Sequence, residues 1–297
     1  MNDTTISLGV VIPTFIDSEE ALFRLNFSLD SVLTQNYSPR QIVVTDDSAD
    51  HFSERVFELC ESKNATNLKF IRHLGSPGVS TNSNNGLRFI DTDFVHCLHQ
   101  DDYLRNPDCY SAVAIILNEG EYSWVLLGGA AAGSRVIPRL RNGRIPAEIN
   151  FGINTIGGPS AVIFPKKPDI KFSENLSMLC DIDLFLNLQD WLGEPYVIES
   201  SEVEYQMGGW QLQKRISNVQ VLSELLELNS MHKGDLGNSL RYVFTYPHRQ
   251  DVKLRALKVM SELNGKTHWA VIASVYELYI HTRSLIRRFL WVRKGSL

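Results

Sequence analysis

Nowhere in the 297 residues is there a run of about 18 apolar side chains, which excludes a conventional membrane-spanning helix. The four cysteines, Cys60, Cys97, Cys109 and Cys180, never fall into C-x-x-C spacing, so neither a disulfide framework nor a structural zinc site is expected. The opening Met-Asn-Asp-Thr-Thr has no basic stretch leading into an apolar one, so no signal peptide is expected and a cytoplasmic setting follows. No G-x-G-x-x-G follows the first apolar segment and no G-x-x-x-x-G-K-[ST] occurs anywhere. A dinucleotide-dependent dehydrogenase or a P-loop NTPase would lack its phosphate-cradling turn. With 43% hydrophobic and 21% charged residues, the chain is globular, with a core of one large domain or two modest ones.

The net charge of −5 conceals an asymmetry. From Arg241 onward 11 Lys and Arg face 3 Asp and Glu, a balance of +8, which leaves −13 on the preceding 240 residues. An acidic body argues against nucleic acid as a partner. The basic tail suits anionic lipid. From His268 the tail alternates apolar and aromatic residues and then carries Arg283, Arg287, Arg288, Arg293 and Lys294. That pattern fits a peripheral membrane contact at the inner face of the membrane. It equally fits a helix packed on the catalytic domain or on a second subunit of a homo-oligomer.

The first half alternates strand and helix signals. Residues 8–12 (Leu-Gly-Val-Val-Ile) are a short apolar run of buried-strand type, and 41–45, 68–72 and 94–98 read as the next three strands. Between them lie helical spacings: Leu22, Leu25, Leu29 and Val32; then Phe52, Val56 and Cys60; then residues 79–90. Pro13 is expected to end the first strand, and Asp17 with Glu20 to start the first helix. This order predicts an open, mostly parallel, Rossmann-like α/β sheet with helices on both faces. Beyond it, strands are expected at residues 124–127, 160–164 and 196–198 and a helix at 183–192. Residues 134–155, with Arg135, Arg139, Arg141 and Arg144, read as a long loop. From residue 216 the spacing is helical, so domains are expected at 1–215 and 216–297.

Open α/β sheets bind ligands at the carboxyl ends of their strands, and here those ends are acidic. The second strand runs into Asp46-Asp47-Ser48 and the fourth into His99-Gln100-Asp101-Asp102. Either segment alone also suits a turn with a helix cap. Together at one sheet edge, their carboxylates would repel unless a divalent cation intervened, and Mg²⁺ or Mn²⁺ favours carboxylates combined with phosphate oxygens. A diphosphate-bearing ligand follows.

Val-Val-Ile-Pro-Thr-Phe, Ile-Val-Val-Thr-Asp-Asp-Ser-Ala-Asp, Gly-Val-Ser with Asn-Asn-Gly-Leu, and Leu-His-Gln-Asp-Asp-Tyr-Leu resemble the successive motifs of family 2 glycosyltransferases. The resemblance spans roughly residues 6–210. It implies the GT-A fold, inverting transfer from a nucleotide-diphosphate sugar and a divalent cation. It places Pro13, Thr14 and Phe15 in the nucleoside pocket and Asp47 on the base, with a uridine-type donor favoured. Gln100 and Asp101 would lie on the donor and Asp102 on the metal. His99, where the family often has Asp, would be a weaker metal ligand, a donor contact or a packed imidazole. Ser83 stands where the family commonly has Arg, so Arg72 or Arg88 would have to compensate. Cys180-Asp181-Ile-Asp183 matches the motif of the general base, which makes Asp181 the base and Asp183 the runner-up; both also suit the capped first turn of a helix. Cys180 replaces the usual acid. Trp210 would stack on the sugar or anchor its own loop. The implied acceptor is a hydroxyl of a cell-envelope or lipid-linked saccharide. The departures at Ser83, His99 and Cys180 leave open a nucleotide-sugar-binding protein without transfer activity.

Overall fold

The computed structural model describes residues 5–146, 149, 154–211, 216 and 218–232. The chain divides into two units, Met1–Lys214 and Arg215–Leu297. The first unit opens with β1 (Leu8–Thr14), α1 (Glu19–Leu33), β2 (Gln41–Asp46), α2 (Asp50–Ser62), β3 (Leu68–Arg72), α3 (Val79–Leu87) and β4 (Phe94–Cys97). It continues with β5 (Asp102–Leu104), α4 (Cys109–Glu119), β6 (Val125–Ala131), β7 (Ser134–Val136), β8 (Val162–Pro165), α5 (Cys180–Leu192) and β9 (Tyr196–Tyr205). In the second unit the described residues form a helix, α6 (Asn218–Met231). The basic segment expected to meet lipid lies outside the described residues. Among them, no helix is long and apolar enough to cross a membrane, and all four cysteines are buried and outside any disulfide.

The strands of the first unit join one sheet in the order β3-β2-β1-β4-β8-β6-β9-β5, with β7 on β6. Strands β1, β2, β3, β4, β6 and β9 share one direction, while β5, β7 and β8 run against it, so the sheet is mostly parallel. From β1 the chain steps outward through β2 to β3 and then returns to the other side of β1 as β4. That reversal opens a crevice at the carboxyl ends of β1 and β4, the place where such sheets bind ligands.

Both faces of the central strands are covered, which is why β1 and β2 read as nearly unbroken apolar runs. Leu8, Val10 and Ile12 pack with Leu25, Leu29 and Val32 of α1, Val56 of α2 and Val113 of α4. Each such side chain, once fully buried, contributes about 2 kcal/mol. On the opposite face α3 lies against β1 and β2. A Cβ at Gly86 would come within 2.5 Å of Val11 and 2.8 Å of Thr45, so the absence of a side chain there lets the helix settle on the sheet.

Several boundaries differ from the sequence reading. Strand β1 continues through Pro13 to Thr14, with Pro13 opposite Thr45. The carbonyls of Val11 and Thr14 accept from Leu98 and Asp47 on opposite sides of the strand, so Pro13 faces the side of β4. Strand β4 has already ended at Cys97, and the missing N–H costs no ladder bond. Helix α1 is capped by Ser18, whose side chain accepts from the Ala21 amide, not by Asp17. Helix α5 begins at Cys180, which brings Asp181 into its first turn. Strand β9 runs ten residues, because β6 and β5 pair with its polar second half. The expected loop at 134–155 contains β7 and a tight bridge between Arg141 and Arg144.

Candidate active site

At the end of β2 two neighbouring acids do different work. Asp46 is fully buried: Oδ1 accepts from Thr14 Oγ1 at 2.9 Å and from the hydroxyl and amide of Ser48. Its Oδ2 pairs with Arg72 at 2.6 Å. Arg72 is therefore committed to Asp46 and Asp50, which speaks against its standing in for the arginine missing at Ser83. Asp47 lies one residue further out. Its Oδ1 meets His73 Nδ1 at 2.5 Å and its Oδ2 accepts from the Gly78 amide at 2.8 Å, while its own amide donates to Thr14.

Asn82 clamps the same strand ends, donating to the carbonyls of Thr14 and Thr45 and accepting from Thr45 Oγ1. The motif around it is thus a buried brace. Ser83 turns inward, its hydroxyl donating to the Val79 carbonyl at 2.6 Å, and Asn84 grips Phe172 through both of its amide atoms. Arg88 is exposed at the end of α3.

The loop after β4 is tied to the end of β1. Gln100 Oε1 accepts from the Phe15 amide at 2.6 Å, and Gln100 Nε2 donates to the Phe15 carbonyl at 2.9 Å. The amide of Gln100 is thereby spent on the backbone, leaving the 53% exposed ring of Phe15 standing at the crevice. The segments carrying Asp47, Phe15 and Asp101-Asp102 are therefore held side by side.

Asp101 and Asp102 then part company. Asp101 is half-buried and accepts from Trp210 Nε1 at 3.1 Å. The Trp210 ring in turn lies 3.8 Å beneath the Arg24 guanidinium, so it anchors its loop to the acidic motif. Asp102 is buried, and its Oδ2 accepts from Ser160 Oγ at 2.6 Å. Burial, and then the adjacent Asp101, push its carboxyl well above the usual carboxylate range. His99 is half-buried beside them, its buried Nε2 without a hydrogen-bond partner. Burial lowers its affinity for a proton against the pull of Asp101.

Ser160 joins this motif to the sheet behind it. Its hydroxyl also accepts from the His99 amide, and its carbonyl accepts from His96 Nε2 at 2.9 Å. A carbonyl only accepts, so Nε2 carries the proton and Nδ1 accepts from the Tyr110 hydroxyl at 2.8 Å. Burial holds His96 neutral, its pKa lowered to about 4. A histidine depressed on folding contributes stability that is complete above its unfolded pKa and is lost as the pH falls toward the folded value. Urea unfolding is expected to show about 2 kcal/mol less stability from this residue at pH 5 than at pH 7.5. His96→Gln, neutral throughout, is expected to remove that part of the pH profile whatever its baseline stability.

The second cluster lies on α5. Asp181 Oδ2 accepts from Asn154 Nδ2 at 3.0 Å and Oδ1 from the Ile182 amide at 2.8 Å. Asp183, in the same turn, is 1% exposed against 7% for Asp181. Tyr205 connects the clusters. It stands opposite Asp102 across β9 and β5, and burial, then the charges of Asp102 and Asp181, push its phenol up. Its hydroxyl sits where a Cβ on Gly157 would come within 2.7 Å, and Gly157 has a φ of +131°. Only glycine suits that approach. Asn154, Ser160 and Tyr205 act at long sequence separation, and no local pattern announces them.

Among the described residues no three His, Cys, Asp or Glu side chains come together as a metal site. Mg²⁺ and Mn²⁺ do not require one, since they accept one or two protein groups beside phosphate oxygens. The half-buried carboxylate of Asp101 and the unpartnered nitrogen of His99 fit that sparse demand. Asp102 is more deeply buried, and one oxygen of each carboxylate is engaged, Asp102 Oδ2 by Ser160 and Asp101 Oδ2 by Trp210.

The Glycosyl transferase family 2 model matches residues 9–162, more than half of the chain. No curated protein matches the sequence. Among solved structures, residues 1–349 of S. aureus TarS are 17% identical with a TM-score of 0.58, over 85% of this chain and 79% of that one. The same TarS fragment in complex with UDP-GlcNAc gives 0.57 at 17% identity, over 93% and 92%. The mannosyltransferase PcManGT from Pyrobaculum calidifontis, in complex with GDP-Man and Mn²⁺, gives 0.57 at 13% identity, over 93% and 81%. These likenesses show the fold, the GT-A arrangement of a mostly parallel sheet flanked by helices. With its strand-end motifs inside the matched stretch, the chain belongs to glycosyl transferase family 2 and is a glycosyltransferase.

Proposed function

We propose that the chain is an inverting transferase. It takes a nucleotide-diphosphate sugar, uridine-type favoured, and passes the sugar to a hydroxyl of a cell-envelope or lipid-linked saccharide. The observation that carries this reading is the meeting of two groups of acids at one sheet edge. Asp47 and Asp101 are tied together through Thr14, Phe15 and Gln100, Tyr205 pairs with Asp102 across β9 and β5, and Asn154 holds both Asp181 and the carbonyl of Gly157, against which the Tyr205 hydroxyl lies.

In this reading Pro13, Thr14, Phe15 and Asp47 receive the nucleoside and Gln100 holds the pocket in shape. Trp210 fixes the Asp101 carboxylate. Asp102, with His99 as a second candidate, would hold Mg²⁺ or Mn²⁺, and Asp101 would lie on the donor. The cation, when bound, supplies Lewis-acid stabilisation of charge on the departing diphosphate. Asp181 takes the proton of the acceptor hydroxyl as its oxygen attacks the anomeric carbon opposite the leaving group, and Asp183 is the runner-up for that role. UDP and UDP-GlcNAc in the TarS complexes and GDP-Man with Mn²⁺ in PcManGT support the donor class and the cation. The catalytic domain is taken as residues 1–215 and the C-terminal extension as 216–297, whose basic end would touch anionic lipid at the inner face of the membrane.

A panel of nucleotide sugars, each with and without Mn²⁺, tests the reading by thermal unfolding and by release of nucleoside diphosphate. One donor at about 100 times its Kd should add roughly 3 kcal/mol, a rise of about 5–10 °C, and only when the cation is present. A panel in which no nucleotide sugar stabilises the chain or is turned over would overturn it.

A further inference from the structure

Helix α1 buries Ala21, Arg24, Leu25, Ser28, Leu29 and Val32, and Arg24 is the one charged residue among them. It is 4% exposed. Its Nη1 lies 2.9 Å from Glu20 Oε1 one turn back, an ion pair without hydrogen-bond alignment, and neither Nη1 nor Nε has an acceptor. Burying a guanidinium with donors unmet is costly. An i,i+4 pair with a glutamate whose side chain is 70% exposed offsets little of that. Methionine would fill the same place without the penalty. What the guanidinium does have is a ring: its Cζ lies 3.8 Å over the centre of Trp210, and indole is the strongest aromatic partner for a cation.

Trp210 belongs to the segment that follows β9, and this segment touches both acids of the motif after β4. Tyr205 pairs with Asp102 across β9 and β5, and the amide of the next residue, Gln206, is bonded to the Asp102 carboxyl. Further on, Trp210 Nε1 donates to Asp101 Oδ2 at 3.1 Å. Among the described residues that is the one hydrogen bond made to the Asp101 side chain. Between Gln206 and Trp210, the backbone of Gly208 packs against the six-membered part of the indole. A Cβ there would come within 1.9 Å of Trp210 Cζ3, so a side chain at this position would displace the ring. The indole is thus held by the guanidinium over its face, by Gly208 beside its six-membered ring and by Asp101 at its N–H.

We infer that Arg24 is a positioning residue for the donor: it holds Trp210 in place, and Trp210 orients the Asp101 carboxylate toward the nucleotide sugar, with no contact between Arg24 and the ligand. The inference rests on the proposed transfer reaction, in which Asp101 lies on the donor, and adds to it a buried cation from a helix that carries none of the strand-end motifs. The indole occupies Oδ2, so the carboxylate presents Oδ1. A carboxylate whose rotation is already restricted loses less freedom when it binds a hydroxyl. Without the cation the ring loses the contact over its face, and Asp101 loses the fixed donor that orients it.

The test uses the full chain and five variants: Arg24→Met, Arg24→Gln, Arg24→Lys, Trp210→Phe and the double variant Arg24→Met/Trp210→Phe. Methionine and glutamine remove the cation in two different ways, so the result does not depend on one replacement folding well. Lysine keeps a cation, and phenylalanine keeps a ring but removes the N–H. Affinity for UDP-GlcNAc and for GDP-mannose, each with Mn²⁺, is measured by titration calorimetry, and KM and kcat by release of the nucleoside diphosphate. Trp210→Phe is expected to bind the donor about 10-fold more weakly, the effect of losing one hydrogen bond to a charged group. Arg24→Met and Arg24→Gln should match it, and Arg24→Lys should stay within about 3-fold of wild type. The loss should lie in KM, with kcat changed less than about 3-fold. The double variant should be no weaker than Trp210→Phe, because Arg24 acts only through the indole; independent contributions would multiply to about 100-fold. Wild-type affinity in both neutral Arg24 variants, multiplied losses in the double variant, or a loss confined to kcat would each overturn the inference. The Trp210 indole N–H resonance, identified by its absence in Trp210→Phe, is followed in the same samples without ligand. It should shift in Arg24→Met and in Asp101→Asn and stay near its wild-type position in Arg24→Lys; an unmoved signal in Arg24→Met also overturns the inference. If the signal shifts as expected but wild type binds neither nucleotide sugar, the transfer reading fails and the donor role of Arg24 falls with it. If wild type and the neutral variants bind the donor alike, the role of Arg24 fails alone.

Discussion

Replacing Asp181 by Asn is expected to lower acceptor-dependent sugar transfer about 1,000-fold, within the range general-base catalysis contributes, while leaving donor binding unchanged. The local geometry makes this a test of chemistry. Asp181 lies in the first turn of α5, where the exposed amides and the helix dipole favour a negative charge, and its two oxygens are held by Asn154 and the Ile182 amide. An ionised, oriented carboxylate is what a base needs. Asparagine keeps the size and one acceptor oxygen but cannot take a proton. Asp183→Asn is the matched control, since that residue shares the turn and is more deeply buried; it is expected to change transfer less than 10-fold. Steady-state rates with saturating acceptor, paired with donor titrations of both variants, check the assignment. A normal rate in Asp181→Asn with a collapsed rate in Asp183→Asn would exchange their roles.

The elements that could be read in advance are those whose pattern is local. Strands β1 and β2 lie between two helical layers, so each is a nearly continuous apolar run, and the acids that follow β2 stand out by contrast. What was not readable depends on partners far along the chain. Pro13 is a strand breaker in any short window, and only the early end of β4 makes its missing N–H harmless. The polar second half of β9 is a strand because β6 and β5 flank it. The same holds inside the site. Asp47, Gln100, Asp101, Asp102 and Asp181 are visible as motif residues, but Ser160 reaches Asp102 across 58 residues and Asn154 reaches Asp181 across 27. Gln100 shows what a motif position leaves unsaid: it reads as a donor contact, and its side-chain amide also fastens the Phe15 backbone. The pair Asp101-Asp102 looks symmetrical in sequence. Burial distinguishes them, since Asp102 begins β5 and points at Ser160 while Asp101 stays half-exposed beside Trp210.

Asp46 is the acid whose loss is expected to cost the fold most, although the sequence reading passes over it for Asp47. Its carboxylate is wholly buried and accepts from Thr14, Ser48 and Arg72, so it joins the ends of β1, β2 and β3 at the point where the crevice opens. Asp46→Ala would leave the Thr14 and Ser48 donors without that acceptor and Arg72 without its buried partner. Removing one member of a buried pair costs about 3–5 kcal/mol. The Arg72 side chain is 30% exposed and can recover some hydration, so the lower end, about 3 kcal/mol, is expected in urea unfolding. Asp46→Asn should fall between wild type and Ala, because an amide oxygen still accepts but carries no charge for Arg72. The companion change Asp47→Ala separates fold from ligand. Asp47 is held by His73 and the Gly78 amide at the rim, so its removal should cost about 1 kcal/mol of stability yet abolish stabilisation by the nucleotide sugar. If Asp47→Ala unfolds as readily as Asp46→Ala and still responds to the donor, the division of labour between these neighbours is reversed.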